Sequence, residues 1–331
     1  MLEQAVIFAM EQGTRLGTLS DDRPRAMLPV LGKPIVARVM DRIYEAGIRD
    51  FIVVVGEQEG EVASYLSMSW VPDANLHIAL QPLVRGPIDS LLHVASMLNG
   101  PFLLAPAAIL TPPAHIPNMI KRFNDTRSDL TLSLVAGHPR TGSVRLPGVR
   151  IDGSRVVDIS TRPAERGGWS AFPLYACSKQ ILNYAETHRT DADGTALGQN
   201  LLKSGRKVSA VVAEWFMPLV NEIDLLTINK RMLREGRDTH ILSELPGTIH
   251  ISPPVRIDPG VSVGQGAKIG PNVYLESGAS VGCEAVIWDS LVLRRASIAD
   301  REIVHGQIVA RQSRISDPSS TEIESSNETR P

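Results

Sequence analysis

The sequence predicts an α/β domain built on a mostly parallel sheet, followed by a parallel β-helix. Three observations predict it. Short apolar runs alternate with amphipathic stretches of helical period as far as Arg234. After Pro246 the apolar residues recur every six positions instead. The chain has 331 residues, 43% of them hydrophobic, which suffices for one large domain and a smaller one, each with its own core.

The elements follow in order. Ala5 to Met10 is short and apolar, as a buried strand should be. A loop with two glycines and two prolines runs from Glu11 to Pro29. From Ile35 to Ala46 the apolar residues Ile35, Val36, Val39, Met40 and Ile43 recur at helical spacing, and Gly47 is placed to close the helix. Phe51 to Val55, Leu76 to Leu80 and Phe102 to Ala105 read as further strands, with helices over Gly60 to Leu66 and Ile88 to Leu98. The alternation continues through Leu130 to Val135, less clearly beyond it, and ends in a helix over Asp224 to Arg234.

Beyond Pro246, Ile251, Ile257, Val263, Ile269, Leu275, Val281, Ile287 and Leu293 form one row with a constant step. A second row lies two residues earlier, from Ile249 and Val255 to Ala285 and Leu291. Gly, Pro, Asn and Ser fill the turns, as in Asp258-Pro259-Gly260. Each repeat supplies one short strand and one turn, and stacking the coils buries the aliphatic row. The expected organisation is a domain over 1–240, the β-helix over 246–310 and an unstructured tail over 313–331, where Ser, Glu, Asp and Pro leave almost nothing to bury.

Composition excludes several classes. A net charge of −2 and 5% aromatics argue against nucleic acid as a partner. Cys177 and Cys283 lie far apart and are read as reduced, packed thiols. The N-terminus has no basic region and no long apolar run, so neither a signal peptide nor a membrane partner is expected, and the location is read as cytoplasmic.

A candidate site begins where the first strand runs into Met10-Glu11-Gln12-Gly13-Thr14-Arg15. Backbone N–H groups and a guanidinium in such a loop can face phosphate. It is followed by Arg23-Pro24-Arg25-Ala26-Met27-Leu28-Pro29-Val30 and then Gly32-Lys33-Pro34. This order resembles the sugar-1-phosphate nucleotidylyltransferase family, the nucleotide-sugar pyrophosphorylases. Those enzymes read Ala-Ala-Gly-x-Gly-Thr-Arg, then Arg-Pro-Lys-Pro-Leu-Leu-Pro-Val, then Gly-Lys-Pro. The resemblance covers the chain to about residue 235. The hexapeptide tail is an appendage of mannose-1-phosphate guanylyltransferase-like and glucose-1-phosphate thymidylyltransferase-like members. It implies a Rossmann-like nucleotidyltransferase domain and a left-handed β-helix. It also implies attack of a sugar-1-phosphate on a nucleoside triphosphate, with Mg²⁺ neutralising the departing pyrophosphate.

The resemblance further implies roles for particular residues. Ala9, Glu11, Gly13, Thr14, Gln81 and Gly86 fall at nucleotide-binding positions, with Gln81 at the nucleobase edge. Arg15 and Arg25 fall at catalytic positions, and Arg162 at the sugar-phosphate position. Trp215, Asp224 and Asn229 match the end of the catalytic domain.

The same alignment shows departures clustered on one chemical centre. Glu11 replaces the first glycine of the loop and puts a carboxylate where phosphate should approach. Arg25 replaces the signature lysine, and Pro87 replaces a threonine. Ala108 stands where the family holds its metal with aspartate, and Met217 or Pro218 where it has a second one. By this alignment no metal ligand remains, and Mg²⁺ enters only if the chain is active.

The expectation is therefore a catalytically weak or inactive member of nucleotide-sugar metabolism. Its partners would be a nucleotide, a nucleotide sugar or an active paralogue, with homo-oligomerisation through the β-helix. An active sugar-1-phosphate nucleotidylyltransferase is the first alternative. An acyltransferase-like or oligomerising hexapeptide protein, with His305 as its base, is the second. His77, His93, His138, Asp21, Asp22, Asp191 and Asp193 lack ligand spacing and are read as structural or surface groups.

Overall fold

The computed structural model describes residues 2–10, 16–20, 23–70, 73–83, 85–137, 146–188, 194–236 and 238–318. The chain divides into two compact units. The first comprises 1–15, 23–27 and 35–220, and the second comprises 16–22, 28–34 and 221–331.

The first unit is built on a nine-stranded sheet. Its strands are β1 (Gln4–Phe8), β2 (Asp50–Val55), β3 (Asn75–Leu80), β4 (Phe102–Pro106), β6 (Leu130–Ala136), β7 (Gly148–Asp152), β8 (Arg155–Ser160), β9 (Trp169–Cys177) and β10 (Val208–Val212). The two-residue strands β5 (Ile109–Leu110) and β11 (Met217–Pro218) form a separate antiparallel ribbon. The sheet order is β3-β2-β1-β4-β9-β6-β10-β8-β7.

Helices α1 (Ile35–Glu45), α2 (Gly60–Ser69) and α3 (Pro87–His93) make the crossovers among β1 to β4. They are followed by α4 (His115–Thr126), the single-turn α5 (Leu182–Ala185) and α6 (Thr195–Lys203). Helix α1 ends as the sequence expects. Gly47, at φ +99°, lets its N–H reach Tyr44 O at 2.9 Å. The helix expected over Ile88 to Leu98 stops at His93 and continues as a 3₁₀ turn over Ala95–Met97. There the buried Val94 bonds back to Leu91 O rather than one residue further.

The mostly parallel sheet needs correction: the sheet is mixed. Strands β3, β2, β1 and β4 are parallel, as is the β6–β10 pair. Strand β9 runs antiparallel to both β4 and β6, and β8 antiparallel to β7 and β10. The reason is connection length. Gly153 and Ser154 join β7 to β8 directly, with Gly153 at φ +58°, and so short a link permits only a hairpin. On the parallel side the chain moves outward from β1 to β3, then returns to the other flank of β1 as β4. Open α/β sheets place their ligand crevice at such a reversal, beyond the carboxyl ends of the strands.

The second unit contains α7 (Glu222–Arg234) and a coil of short parallel strands. Asn221 caps α7 reciprocally: its Oδ1 accepts from Asp224 N–H at 3.0 Å, and Asp224 Oδ2 accepts from Asn221 N–H at 2.8 Å. In the coil, strands pair parallel with strands 18 residues later, as in His250↔Lys268, Val255↔Val273 and Ser262↔Ser280, giving three sheets. The six-residue step therefore returns to its own face every third repeat. Ile257, Ile269, Leu275 and Ile287 lie in one buried cluster.

The step changes once. From Tyr274↔Leu291 onward the pairs are 17 residues apart. Asp289, at φ +50°, turns the chain with one residue fewer. Val292 instead of the expected Leu293 then joins the inner cluster, and Ser290 takes the place expected for Leu291. Ser290 can be buried there because its hydroxyl donates to Trp288 O at 2.7 Å and accepts from Gln307 N–H at 3.2 Å.

Composition places Arg314–Ser316 in an unstructured tail. Those residues instead form an antiparallel strand on Gln307–Val309, with Ile315 opposite Ile308. One well-placed isoleucine in a polar stretch is enough to seat the strand. The rest of that tail, from 319 on, lies outside the described residues.

Candidate functional site

A crevice of about 470 Å³ opens in the first unit. Phe8, Ala9 and Met10 at the end of β1 line it, with Pro106, Ala107 and Ala108 at the end of β4. These are the strands on either side of the reversal. From there the lining follows one face of the sheet through Leu130, Leu132, Ile159 and Ala171, and the opposite wall includes Ile88, Leu91 and Leu197. Arg25 is the charged residue of the lining among the described residues, and Tyr175 and Thr195 add hydroxyls. Cys177 also lines it, and burial pushes its thiol well above the ordinary range, so it stays neutral.

The structure brings some of the sequence-predicted residues together and separates others. Ala9 is buried in the crevice wall, its N–H bonded to Val54 O at 2.9 Å. Arg25 lies on the 3₁₀ turn Arg25–Met27, beside Ala26, which also lines the space. Gln81 is buried but is not part of the lining. Its Nε2 donates to Asp89 Oδ2 at 3.1 Å and to Leu83 O at 3.2 Å. Both partners accept, so the amide orientation is fixed and its two donors are used inside the protein. Its Oε1 has no hydrogen-bond partner.

Gly86 begins α3 at φ +156°, and its carbonyl accepts from the Ser90 N–H and hydroxyl, both at 3.0 Å. It too stands apart from the lining, which takes Pro87 and Ile88 instead. Arg162 is exposed and is likewise absent from the lining, so the crevice does not unite it with Arg25. Glu11, Gly13, Thr14, Arg15, Asp21, Asp22, His138, Asp191 and Asp193 lie outside the described residues.

The positions expected to have lost metal-binding aspartates, Ala108 and Met217 or Pro218, lie close together on one ribbon but do not pair directly. Strand β11 pairs with β5, Met217 opposite Leu110 and Pro218 opposite Ile109. The next step of that ribbon puts Leu219 opposite Ala108, and Leu219 N–H donates to Ala108 O at 2.9 Å. Mg²⁺ takes oxygen ligands and commonly one or two carboxylates. Here Ala108, Met217 and Pro218 offer no carboxylate, and the Ala108 carbonyl already accepts a hydrogen bond. Among the described residues no group of three or more His, Cys, Asp or Glu could hold a metal ion. The residues present on the ribbon do not fit Mg²⁺.

Ala9, Arg25 and Ala108 line the crevice at its mouth, while much of its depth comes from residues outside the expected site. Tyr175, Thr195, Leu132 and Ile181 carry no motif. Leu132 sits in an expected element, the others in stretches the parallel-sheet expectation left undefined, and only tertiary structure collects them. No helix among the described residues is long and apolar enough to cross a membrane.

The nucleotidyl transferase family pattern matches residues 4–217, and the GMPPB C-terminal domain pattern matches residues 251–325. A glucose-1-phosphate thymidylyltransferase of Streptomyces griseus is 23% identical over 346 residues, covering 93% of this chain and 92% of the relative. A bifunctional protein GlmU of Methanococcus maripaludis is 22% identical over 275 residues, covering 81% of this chain and 62% of the relative. The UTP–glucose-1-phosphate uridylyltransferase AglF of Haloferax volcanii is 30% identical over 128 residues, covering 38% of this chain and 51% of the relative. This chain thus spans 62% and 51% of the length of those last two relatives. A crystal structure from Bacillus anthracis, assigned as a glucose-1-phosphate thymidylyltransferase, superposes with a TM-score of 0.60 at 16% identity. It covers 69% of this chain and 94% of its own, and shows the same fold.

Proposed function

The chain belongs to the nucleotidyl transferase family, and we propose that it acts there by binding, without metal-dependent nucleotidyl transfer. The observation that carries this reading is the ribbon, where none of Ala108, Met217 and Pro218 carries a carboxylate. Transition-state charge between the α-phosphate and pyrophosphate is best offset by a bound divalent ion. A site that cannot fix one loses the largest electrostatic contribution to the reaction. What remains is a crevice whose described lining holds Arg25 and a long apolar wall, suited to holding a phosphorylated ligand, with an active paralogue as the second partner.

A full-length relative named for glucose-1-phosphate thymidylyl transfer supplies the ligand classes to begin with: nucleotides, nucleotide sugars and sugar phosphates. The same full-length match supports the other reading, an active sugar-1-phosphate nucleotidylyltransferase. A pyrophosphate-release assay across nucleoside triphosphates and sugar-1-phosphates decides between them. The unmodified protein should release no pyrophosphate with Mg²⁺, and Ala108→Asp alone should not restore release, because neither Met217 nor Pro218 offers a second ligand. Robust Mg²⁺-dependent turnover by the unmodified protein would overturn the non-catalytic reading.

Two further parts of the reading concern the coil. It winds left-handed, as in the hexapeptide family its repeat resembles, and an experimental map of the coil tests this. It also mediates self-association. Ile303, an apolar residue half exposed on the coil, is a natural contact. Ile303→Glu should lower the sedimenting mass of the full chain, and an unchanged mass removes that face from the interface.

A further inference from the structure

We infer that Tyr274 and Thr18 are positioning residues for the crevice: from the second unit they tie down the two ends of the segment that carries the turn Arg25–Met27 into the crevice wall. This rests on the binding reading above, which makes the crevice the site, and it names how that site is controlled.

The argument starts from the path of the chain. Residues 16–22 and 28–34 belong to the second unit, and 23–27 between them to the first. Arg25 and Ala26 line the crevice. Met27 is followed directly by Leu28, so the wall and the hairpin of 28–34 share a peptide bond. The turn itself is a 3₁₀ turn of three residues, closed by Met27 N–H on Pro24 O at 2.8 Å. So short a turn takes its conformation from its surroundings. Ala26 and Met27 are buried, and the turn packs beside α1 and α2. The chain on either side of it is fixed elsewhere.

Downstream, Leu31 N–H donates to Asn229 Oδ1 and Gly32 N–H to the Tyr274 hydroxyl, both at 3.0 Å. Asn229 Nδ2 donates in turn to Pro29 O at 3.1 Å. Asn229 and Tyr274 are buried, so water competes poorly for these bonds. Upstream, Thr18 sits in the 3₁₀ turn Gly17–Ser20. Glu222 Oε1, at the start of α7, accepts from its N–H at 3.0 Å and from its hydroxyl at 3.2 Å. The Ser313 hydroxyl then donates to Thr18 Oγ1, 2.7 Å away. A segment held at both ends transmits displacement. A shift of α7 or the coil reaches the wall through Met27 and Leu28. An occupant that moves the turn reaches Tyr274 by the same route, because coupling between sites is reciprocal.

Amide hydrogen exchange on the full chain, without ligand, tests this. Met27 N–H reports the turn. Ala9 and Ala107 N–H, bonded to Val54 O and Phe8 O at 2.9 Å, report the sheet side of the same crevice. Tyr274→Phe keeps the ring and removes the hydroxyl. It should speed exchange at Met27 and Gly32 about tenfold or more, and leave Ala9 and Ala107 within about twofold. Thr18→Val should speed Met27 about threefold or more, whereas Thr18→Ser, which keeps the hydroxyl, should exchange like the unmodified protein.

An unchanged rate at Met27 in Tyr274→Phe or in Thr18→Val would overturn the positioning role. So would equal acceleration of Ala9 and Ala107, which marks general loosening, or a Thr18→Ser rate matching that of Thr18→Val. If Tyr274→Phe fails to fold, the pair of variants at the exposed Thr18 decides alone. No ligand enters this measurement. Pyrophosphate release in the companion assay would defeat the non-catalytic reading and leave the exchange result standing, so the two failures are distinguishable.

Discussion

Two aliphatic interiors in this chain are completed differently. In the coil, Ile257, Ile269, Leu275 and Ile287 meet one another in a single buried cluster. In the first unit, Leu104, Leu130, Leu132 and Ile159 belong to a buried cluster and also border the crevice. The residue types are the same. In the coil each residue is covered by its counterpart one coil away, so the repeat itself completes the core. In the mixed sheet no repeat supplies a counterpart, and part of the apolar wall faces space. Being shielded from water and being packed are separate properties, and this chain carries both cases.

The largest test of that comparison removes the coil. Leu28–Pro34 belongs to the second unit, although it lies early in the sequence. Its hairpin turns at Leu31 and Gly32, with φ of +46° and +78°. Leu31 N–H donates to Asn229 Oδ1, and Gly32 N–H donates to the Tyr274 hydroxyl, both at 3.0 Å. The φ of Gly32 favours glycine, and a Cβ there would lie 2.2 Å from the Arg256 guanidinium, which would have to shift. A chain ending before Pro246 loses Tyr274 and Arg256 and should lose its cooperative melting transition in calorimetry. A truncated chain that melts as sharply as the full one would show that the early hairpin does not depend on the coil.

Smaller substitutions sharpen the contrast. Leu275→Ala in the coil should cost about 2–5 kcal/mol in urea denaturation, since the space it leaves stays rigid. Leu132→Ala, which enlarges an existing crevice, should fall near the lower end of that range. The reverse exchange separates the units further. Ala285→Leu must overpack a filled coil and should cost about 1–3 kcal/mol. Ala171→Leu projects into the crevice and should be neutral or stabilise by up to about 1 kcal/mol. Equal effects in the two units would mean that the crevice is closed and filled in solution.

The coil was legible in sequence because its rule is local: one period, repeated, sets strand, turn and inner row. It failed only at Asp289, where one residue fewer shifts the register, and nothing in the composition marks that turn. The parallel half of the sheet was legible for a similar reason, since each strand there is followed by its own crossover helix. The mixed half was not, because strand direction depends on connections such as Gly153-Ser154 and on partners far along the chain. In the site, the ends of β1 and β4 could be located from motifs. The places of Gln81 and Arg162 outside the crevice could not, because motifs give order along the chain and not which way a side chain is committed.

The hairpin anchor should matter by less than the core. The Tyr274 hydroxyl donates to Asp258 Oδ2 at 2.6 Å while accepting from Gly32 N–H, and Asp258 Oδ1 accepts from Arg256 Nε at 2.7 Å. Tyr274→Phe keeps the ring and strands one buried donor and one acceptor, so it should cost about 1–3 kcal/mol. An unaffected denaturation midpoint would show that water replaces the hydroxyl there.

Acid should then distinguish the two units. His115 is buried at the start of α4, its Nε2 2.9 Å from Ser133 Oγ and its ring 5.7 Å from that of Phe172. Burial lowers its pKa to about 4, from 6.5. The folded protein therefore keeps His115 neutral at pH values where the unfolded chain has already bound a proton. Above 6.5 neither state binds it, and the stability from this site is fully present. As pH falls toward 4 the unfolded state gains protons and the folded state does not, so stability is lost across that window. The loss should be about 1 kcal/mol near pH ~5.5 and grow toward about 3 kcal/mol at the lower edge. His115→Gln should flatten this slope without altering stability at neutral pH by a comparable amount. In hydrogen exchange at mildly acid pH, amides of β6 and β9 beside His115 should lose protection before those of the coil. Earlier loss in the coil would place the acid-sensitive element in the second unit and refute the assignment to His115.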